Sequence, residues 1–227
     1  MSDLLPGNQI VKLVACDIKL EVRVILFSLR DRQLQVLLAP AGENQAMDLW
    51  QLPGNLVDRF CSLEETASMC LVEYIGCREA YLEQLYTYGY AEEQLVSVVY
   101  YALIPGDIYP EKKHTPSQWF PVDTPPVLIS NHAEILQYAL RRLRYKLEYT
   151  AVGFELLPDH FTLSELQSTY EIVLGEKLDK RNFRRRILKA DVIEPTPHQR
   201  CGEGRPARLF RYRPDAVAEV KARRLFP

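Results

Sequence analysis

Apolar residues along this chain recur with two periods, and the switch between them divides it. Residues 22–29 and 34–39 are rich in Val, Ile and Leu and flank Arg30-Asp31-Arg32-Gln33, which predicts a hairpin. Residues 80–88 and 96–104 predict two more strands, the second heavily β-branched and aromatic, and 117–122, with Trp119-Phe120, a short last one. Between them Ser62 and Glu65 have capping-box spacing, in which each side chain satisfies a free N–H at a helix start. Gly76 then stands where a helix ends in left-handed backbone. Asn131 is expected to cap a long helix reaching Tyr149, with Leu136, Leu140, Leu143 and Leu147 in one stripe opposite Arg141, Arg142 and Arg144. That stripe has two candidate roles, packing on its own domain or forming a dimer seam. Strands flanking a helix in this order suit a mixed-sheet α/β/α sandwich.

From Phe161 onward the pattern is helical and then basic. Thr162 with Glu165 repeats the capping box, Leu163, Leu166, Tyr170, Val173 and Leu174 form an apolar face, and Gly175 stops the helix. Asp179 should cap a second helix, KRNFRRRILKA, in which Phe183, Ile187 and Ala190 cluster on one side. Arg181, Arg185 and Lys189 point away from that side, with Asn182 and Arg184 at its margins. Val192-Ile193 and 208–212 are candidate strands, joined by a loop carrying Arg200, Gly202, Gly204, Arg205 and Pro206. Helix, short turn, basic helix and hairpin make a winged helix-turn-helix pattern.

Charge sharpens that picture. Residues 151–227 hold 15 Lys/Arg against 11 Asp/Glu, a balance of +4, whereas 1–150 hold 13 against 19, a balance of −6. Within 177–213 the count is 12 basic to 4 acidic, the footprint of a nucleic-acid surface on an otherwise acidic protein. Arg181 and Arg185 are placed to read base edges in the major groove, and Lys180, Arg184 and Arg186 to grip phosphates. Asn182, Lys189, Arg200, Arg205 and Arg208 complete the expected DNA surface, the last three through the wing.

Five cysteines, Cys16, Cys61, Cys70, Cys77 and Cys201, form no CxxC pair, so neither a disulfide framework nor a zinc site is expected. No apolar run approaches a membrane span and no signal-peptide core is visible, which points to a cytoplasmic chain that makes no use of a membrane.

Residues 52–77, LPGNLVDRFCSLEETASMCLVEYIGC, resemble the Nudix box of pyrophosphate hydrolases: G, five residues, E, seven residues, then R-E-U-x-E-E-x-G-U, where U is bulky and aliphatic. Leu71, Glu73 and Gly76 agree with that pattern. Asn55, Cys61, Met69, Cys70 and Tyr74 stand where the resemblance expects Gly, Glu, Arg, Glu and Glu. Positions 69, 70, 73 and 74 share one helix face by spacing, yet only Glu73 is acidic there. One carboxylate cannot hold the Mg²⁺ ions that polarise a diphosphate. The expectation is therefore a retained fold without catalysis, with no catalytic residues, metal or cofactor.

Further segments widen the resemblance: YLEQLYTYG at 81–89, WFPVD at 119–123, NHAEIL at 131–136, FTLSELQ at 161–167, DKRNFRRRIL at 179–188 and GRPARLF at 204–210. With them the chain resembles the bacterial Nudix-related transcriptional regulators of NrtR type. The fold class expected is α/β + α: a Nudix-type α/β/α sandwich over 1–150, then a winged helix-turn-helix over 151–227. The resemblance implies a dimeric regulator, expected to be a repressor, on a palindromic double-stranded operator. It also implies a small-molecule effector, commonly ADP-ribose or another nucleotide and in some relatives a sugar. Pro40-Ala41 stands where the family often has Arg, and the 89–96 loop is shorter than usual there. An effector pocket is expected against the box helix, near Trp50, Asn55 and Glu73, and Leu136, Leu140, Leu143 and Leu147 are taken as the dimer seam. Two competing readings are a Nudix-type hydrolase with unusual metal ligands and a scaffold whose basic helix binds an acidic protein.

Overall fold

A computed structural model of the chain describes residues 18–42, 49–106, 116–201, 206–213 and 216. Strands β1 (Lys19–Arg30) and β2 (Gln33–Pro40) form the expected hairpin, turning through Asp31 and Arg32, both with positive φ. That backbone matches the right-handed twist of two antiparallel strands. β3 (Trp50–Gln51) and β4 (Gly54–Leu56) are short, and β5 (Tyr81–Tyr90), β6 (Leu95–Ile104) and β7 (Gln118–Pro121) lie where periodicity puts strands. The sheet runs β3-β2-β1-β6-β5, with β4 added to β1 and β7 to β2. β1 and β6 are parallel over ten residue pairs, so the sheet is mixed.

Helices cover both sides of it. Val22, Val24 and Leu26 of β1 face helix α1 (Leu63–Ile75), whereas Ile25 and Phe27 face helix α2 (His132–Tyr149). Burial on both faces explains why β1 and β6 read as nearly continuous apolar runs. α1 starts and stops as its sequence dictates: Ser62 and Glu65 complete a reciprocal capping box, and Gly76 closes the helix at φ 72.

The leucine stripe of α2 overturns one expectation. Leu136, Leu143 and Leu147 are 0 % exposed and Leu140 is 3 % exposed within a single copy. They belong to a core shared with Ile25 and Phe27 of the sheet and with Val152, Phe154, Phe161 and Tyr170 beyond the helix. A surface consumed inside one chain cannot hold two chains together, so these leucines are not a dimer seam. Two further details differ. The Asn131 side chain makes no capping bond and instead accepts from the Tyr90 hydroxyl at 2.7 Å. Arg144 is not a solvent charge: its Nε donates at 2.8 Å to the carbonyl of Val173.

That carbonyl belongs to helix α3 (Leu163–Leu174), reached from α2 through one turn of 3₁₀ helix, Val152–Leu156. Cations at a helix C-terminus satisfy carbonyls left without an intrahelical partner, so Arg144 ties α2 to α3. Thr162 and Glu165 form the second capping box and Gly175, at φ 77, ends α3. Helix α4 (Lys180–Ala190) follows, then the hairpin β8 (Ile193–Arg200) and β9 (Ala207–Tyr212). Phe161 exchanges two backbone bonds with Phe210, at 2.9 and 2.8 Å, which anchors the hairpin to the start of α3. No described helix is long and apolar enough to cross a membrane.

Candidate nucleic-acid interface and effector site

α4 is built by its two faces. Asp179 accepts from the Asn182 N–H at 2.8 Å and starts the helix. Phe183, 2 % exposed, and Ile187, 0 % exposed, pin it to the core, where Phe183 meets Tyr170 edge-on at 5.7 Å. The turn before α4 is fixed too: the Glu171 carboxylate accepts from the Leu178 N–H at 3.1 Å and from Gln167, which also donates to the Leu178 carbonyl. Such anchoring leaves Lys180, Arg181, Asn182, Arg185 and Lys189 exposed together, with Arg184 and Arg186 half-buried at the margins. Asn182 Oδ1 accepts from Arg185 at 2.9 Å, which holds that guanidinium across the exposed face. Arg184 donates to Ser164 Oγ of α3 at 3.2 Å, joining the two helices.

The wing agrees in part. Arg208 is exposed on β9. Arg200 is differently engaged: it pairs with Glu165, the capping residue of α3, and donates to the His160 carbonyl at 3.1 Å. Its guanidinium therefore fastens the wing root to α3. Arg205, with Gly202 and Gly204, lies outside the described residues.

In the box helix the four positions expected on one face divide. Met69, 55 % exposed, and Glu73 face outward, whereas Cys70, 0 % exposed, and Tyr74, 9 % exposed, are packed into the α1-side core. Burial, reinforced by Glu73, pushes the Cys70 thiol up to about 12, and burial likewise pushes the Tyr74 hydroxyl up to about 12. Both are neutral near pH 7. Glu73 accepts from Asn55 Nδ2 at 3.2 Å, so two of the three expected pocket residues meet. Trp50 does not join them: its ring packs edge-on against Phe120 at 4.7 Å, on the α2-side core.

Periodicity alone passed over the neighbouring polar cluster. Arg23 donates to Gln51 Oε1 at 3.2 Å, to the Leu52 carbonyl at 3.0 Å and to Glu21 at 2.7 Å. A Cβ on Gly54 would lie 2.5 Å from Arg23 Cδ and 2.5 Å from the Val22 carbonyl, so only glycine lets β4 close over it. His132, 5 % exposed, accepts from the Leu52 N–H through Nδ1 at 3.1 Å. Burial first, and the nearby Arg23 second, lower its imidazole to about 4, so it is a neutral acceptor. A signal for this cluster did exist: Lys19, Glu21 and Arg23 are charged at alternate positions of β1, on the side that Ile25, Phe27 and Leu29 continue as apolar. Among the described residues no group of three or more His, Cys, Asp and Glu side chains could hold a metal ion. Arg23 is engaged within the protein, its guanidinium paired with Glu21 and donating to Gln51 and to the Leu52 carbonyl, so the cluster fastens β1 to β3 and to the start of the box.

With this geometry in view, comparisons with known proteins converge. The family model of the NrtR DNA-binding winged helix domain matches residues 153–212. An ADPR-responsive transcriptional repressor of Acinetobacter baylyi is 36 % identical over 201 residues, 84 % of this chain and 80 % of the relative. The crystal structure of Shewanella oneidensis NrtR matches with 33 % identity and a TM-score of 0.78, over 90 % of this chain and 97 % of that one. The same protein complexed with a 27mer DNA matches with a TM-score of 0.77, over 90 % and 96 %. The chain belongs to the NrtR family, a Nudix-like α/β domain joined to a winged helix.

Proposed function

We propose that this chain is a ligand-responsive transcriptional repressor. It binds double-stranded operator DNA through α4 and the wing, works as a homodimer on a palindromic site, and takes ADP-ribose or a related nucleotide as effector in the Nudix-like domain. One observation carries the reading: five polar or basic side chains of α4 are exposed together on a helix whose opposite face is locked into the core. The relatives with similar chains are a repressor named for its response to ADP-ribose and a regulator crystallised with DNA, which supports both partners. The Nudix-like domain acts as a sensor that does not hydrolyse its ligand, because Cys70 and Tyr74 are neutral and buried where the box places carboxylates.

Coupling between the partners has a definite size. A ligand shifts operator affinity only as far as it prefers one conformation of the protein, and a tenfold change corresponds to about 1.4 kcal/mol. Fluorescence anisotropy on the chain's own upstream DNA, with ADP-ribose titrated in, tests the proposal. The expected result is preference for one segment over random DNA, weakened roughly tenfold by the ligand, with ADP-ribose recovered intact in Mg²⁺. Equal binding to random DNA, or turnover near 1 per second as in ordinary enzymes, would overturn it.

A further inference from the structure

A cleft of about 420 Å³ opens where the sheet meets the winged helix, and no described residue of α1 lines it. Its walls come from the start of β5, the end of β6, the 3₁₀ turn Val152–Leu156 with the segment after it, and the end of β9. That size falls among cavities that hold small molecules, and junctions between domains are a preferred place for them.

The floor of the cleft is aromatic. Phe154, 8 % exposed, is flanked by the rings of Phe161 at 5.5 Å and Tyr212 at 4.9 Å, and Tyr81 adds a ring from the sheet side. Both tyrosine hydroxyls are engaged: Tyr212 donates at 2.7 Å to the Ala216 carbonyl, and Tyr81 donates to Glu83. The rings are therefore what these residues offer a ligand. The rim is acidic. Glu79 comes from the sheet side, Glu155 and Asp159 come from the segment joining α2 to α3, and all three are exposed. Among the described residues no Lys, Arg or His lines the cleft, and no ion pair involves these three carboxylates. Partial burial raises the Glu155 carboxyl above its ordinary value, with no described cation beside it to offset the lost hydration.

Rings and carboxylates favour one class of ligand. Aromatic faces attract cations, whereas a diphosphate would meet repulsion from three acids. The apolar floor asks for hydrocarbon beside the charge. Acids on both the sheet side and the connecting segment ask for a cation at each end. We infer that this cleft binds an aliphatic di- or polyamine, with its methylene chain over Phe154 and Tyr212 and its ammonium groups divided between Glu79 and the pair Glu155 and Asp159. A ligand held at both ends fastens the sheet to the segment on which α3 is mounted. The site is separate from the proposed effector site, which takes an anionic nucleotide, so the inference stands or falls independently of the regulatory reading.

Isothermal titration calorimetry on the chain without DNA, with spermidine as the probe at near-physiological salt, tests it. One spermidine is expected to bind per chain. n-Butylamine, which carries a single charge and engages one side only, should bind roughly tenfold more weakly. Glu155→Gln/Asp159→Asn should weaken spermidine roughly tenfold by removing the ion pairs at one end. Glu79→Gln should weaken spermidine about threefold and leave butylamine, held by the other two acids, unchanged. These amide replacements keep the size of exposed side chains, and circular dichroism checks the fold of each variant. Glu92→Gln/Glu93→Gln, which removes two exposed acids outside the cleft, should alter neither affinity. Absence of saturable spermidine binding would overturn the inference. Equal affinity for the two amines, or equal weakening by the Glu92 and Glu93 replacements, would overturn it too, by showing an acidic surface without a two-ended site.

Discussion

Helices α1 and α4 begin alike and end in opposite roles. Each starts at a side-chain cap and buries one face, yet α4 keeps its charged residues in solvent while α1 has drawn two of its box positions into the core. On α4 the apolar contacts of Phe183 and Ile187 serve to hold out Arg181, Arg185 and Lys189. On α1, Cys70 and Tyr74 are packed into the core at two positions where the Nudix pattern carries carboxylates. A scaffold and the chemistry mounted on it are separable, because capping and burial depend on residues other than those that touch the ligand.

The largest expected effect comes from forcing α1 back toward its pattern. Cys70→Glu would bury a carboxylate at a fully enclosed position and should cost about 3–5 kcal/mol of stability in urea denaturation. Should that variant be as stable as the parent and hydrolyse ADP-ribose, the contrast between the helices would collapse.

A smaller effect involves His132, which stands beside the same cluster. Its folded-state value of about 4 lies below the ordinary 6.5. Between those values the unfolded chain binds a proton that the folded chain refuses. Its contribution is thus intact above about pH 6.5 and is lost as pH falls toward 4, up to about 3 kcal/mol in all. His132→Gln should flatten the fall in stability across that window. Parallel curves for variant and parent would show that another group carries it.

Much of this was visible in the sequence, for physical reasons that differ by residue. Both capping boxes, the Asp31-Arg32 turn and the buried and exposed sides of α4 follow from local spacing, and all stand in the structure. The leucines of α2 show where spacing stops. Period 3.6 reveals that Leu136, Leu140, Leu143 and Leu147 share a face, but what covers it is decided by β1 and by the segment from Val152 to Tyr170. Arg200 was assigned by its place in the loop, and its pairing with Glu165 depends on how the wing folds back, which no local rule contains. Trp50 and Glu73 lie 23 positions apart in sequence and on different sides of the sheet, so proximity to the box did not place them together.

The smallest change that bears on the central claim is at two arginines. Base contacts of this kind are worth roughly 1–3 kcal/mol each, so Arg181→Ala/Arg185→Ala should lose most specific operator affinity while keeping its fold and its salt-dependent binding to random DNA. Anisotropy on operator and random duplexes, at matched salt, reads both quantities in one experiment. Loss of the preference with random-site binding kept is the result expected of a DNA-reading α4. An unchanged preference in the folded double variant would contradict it.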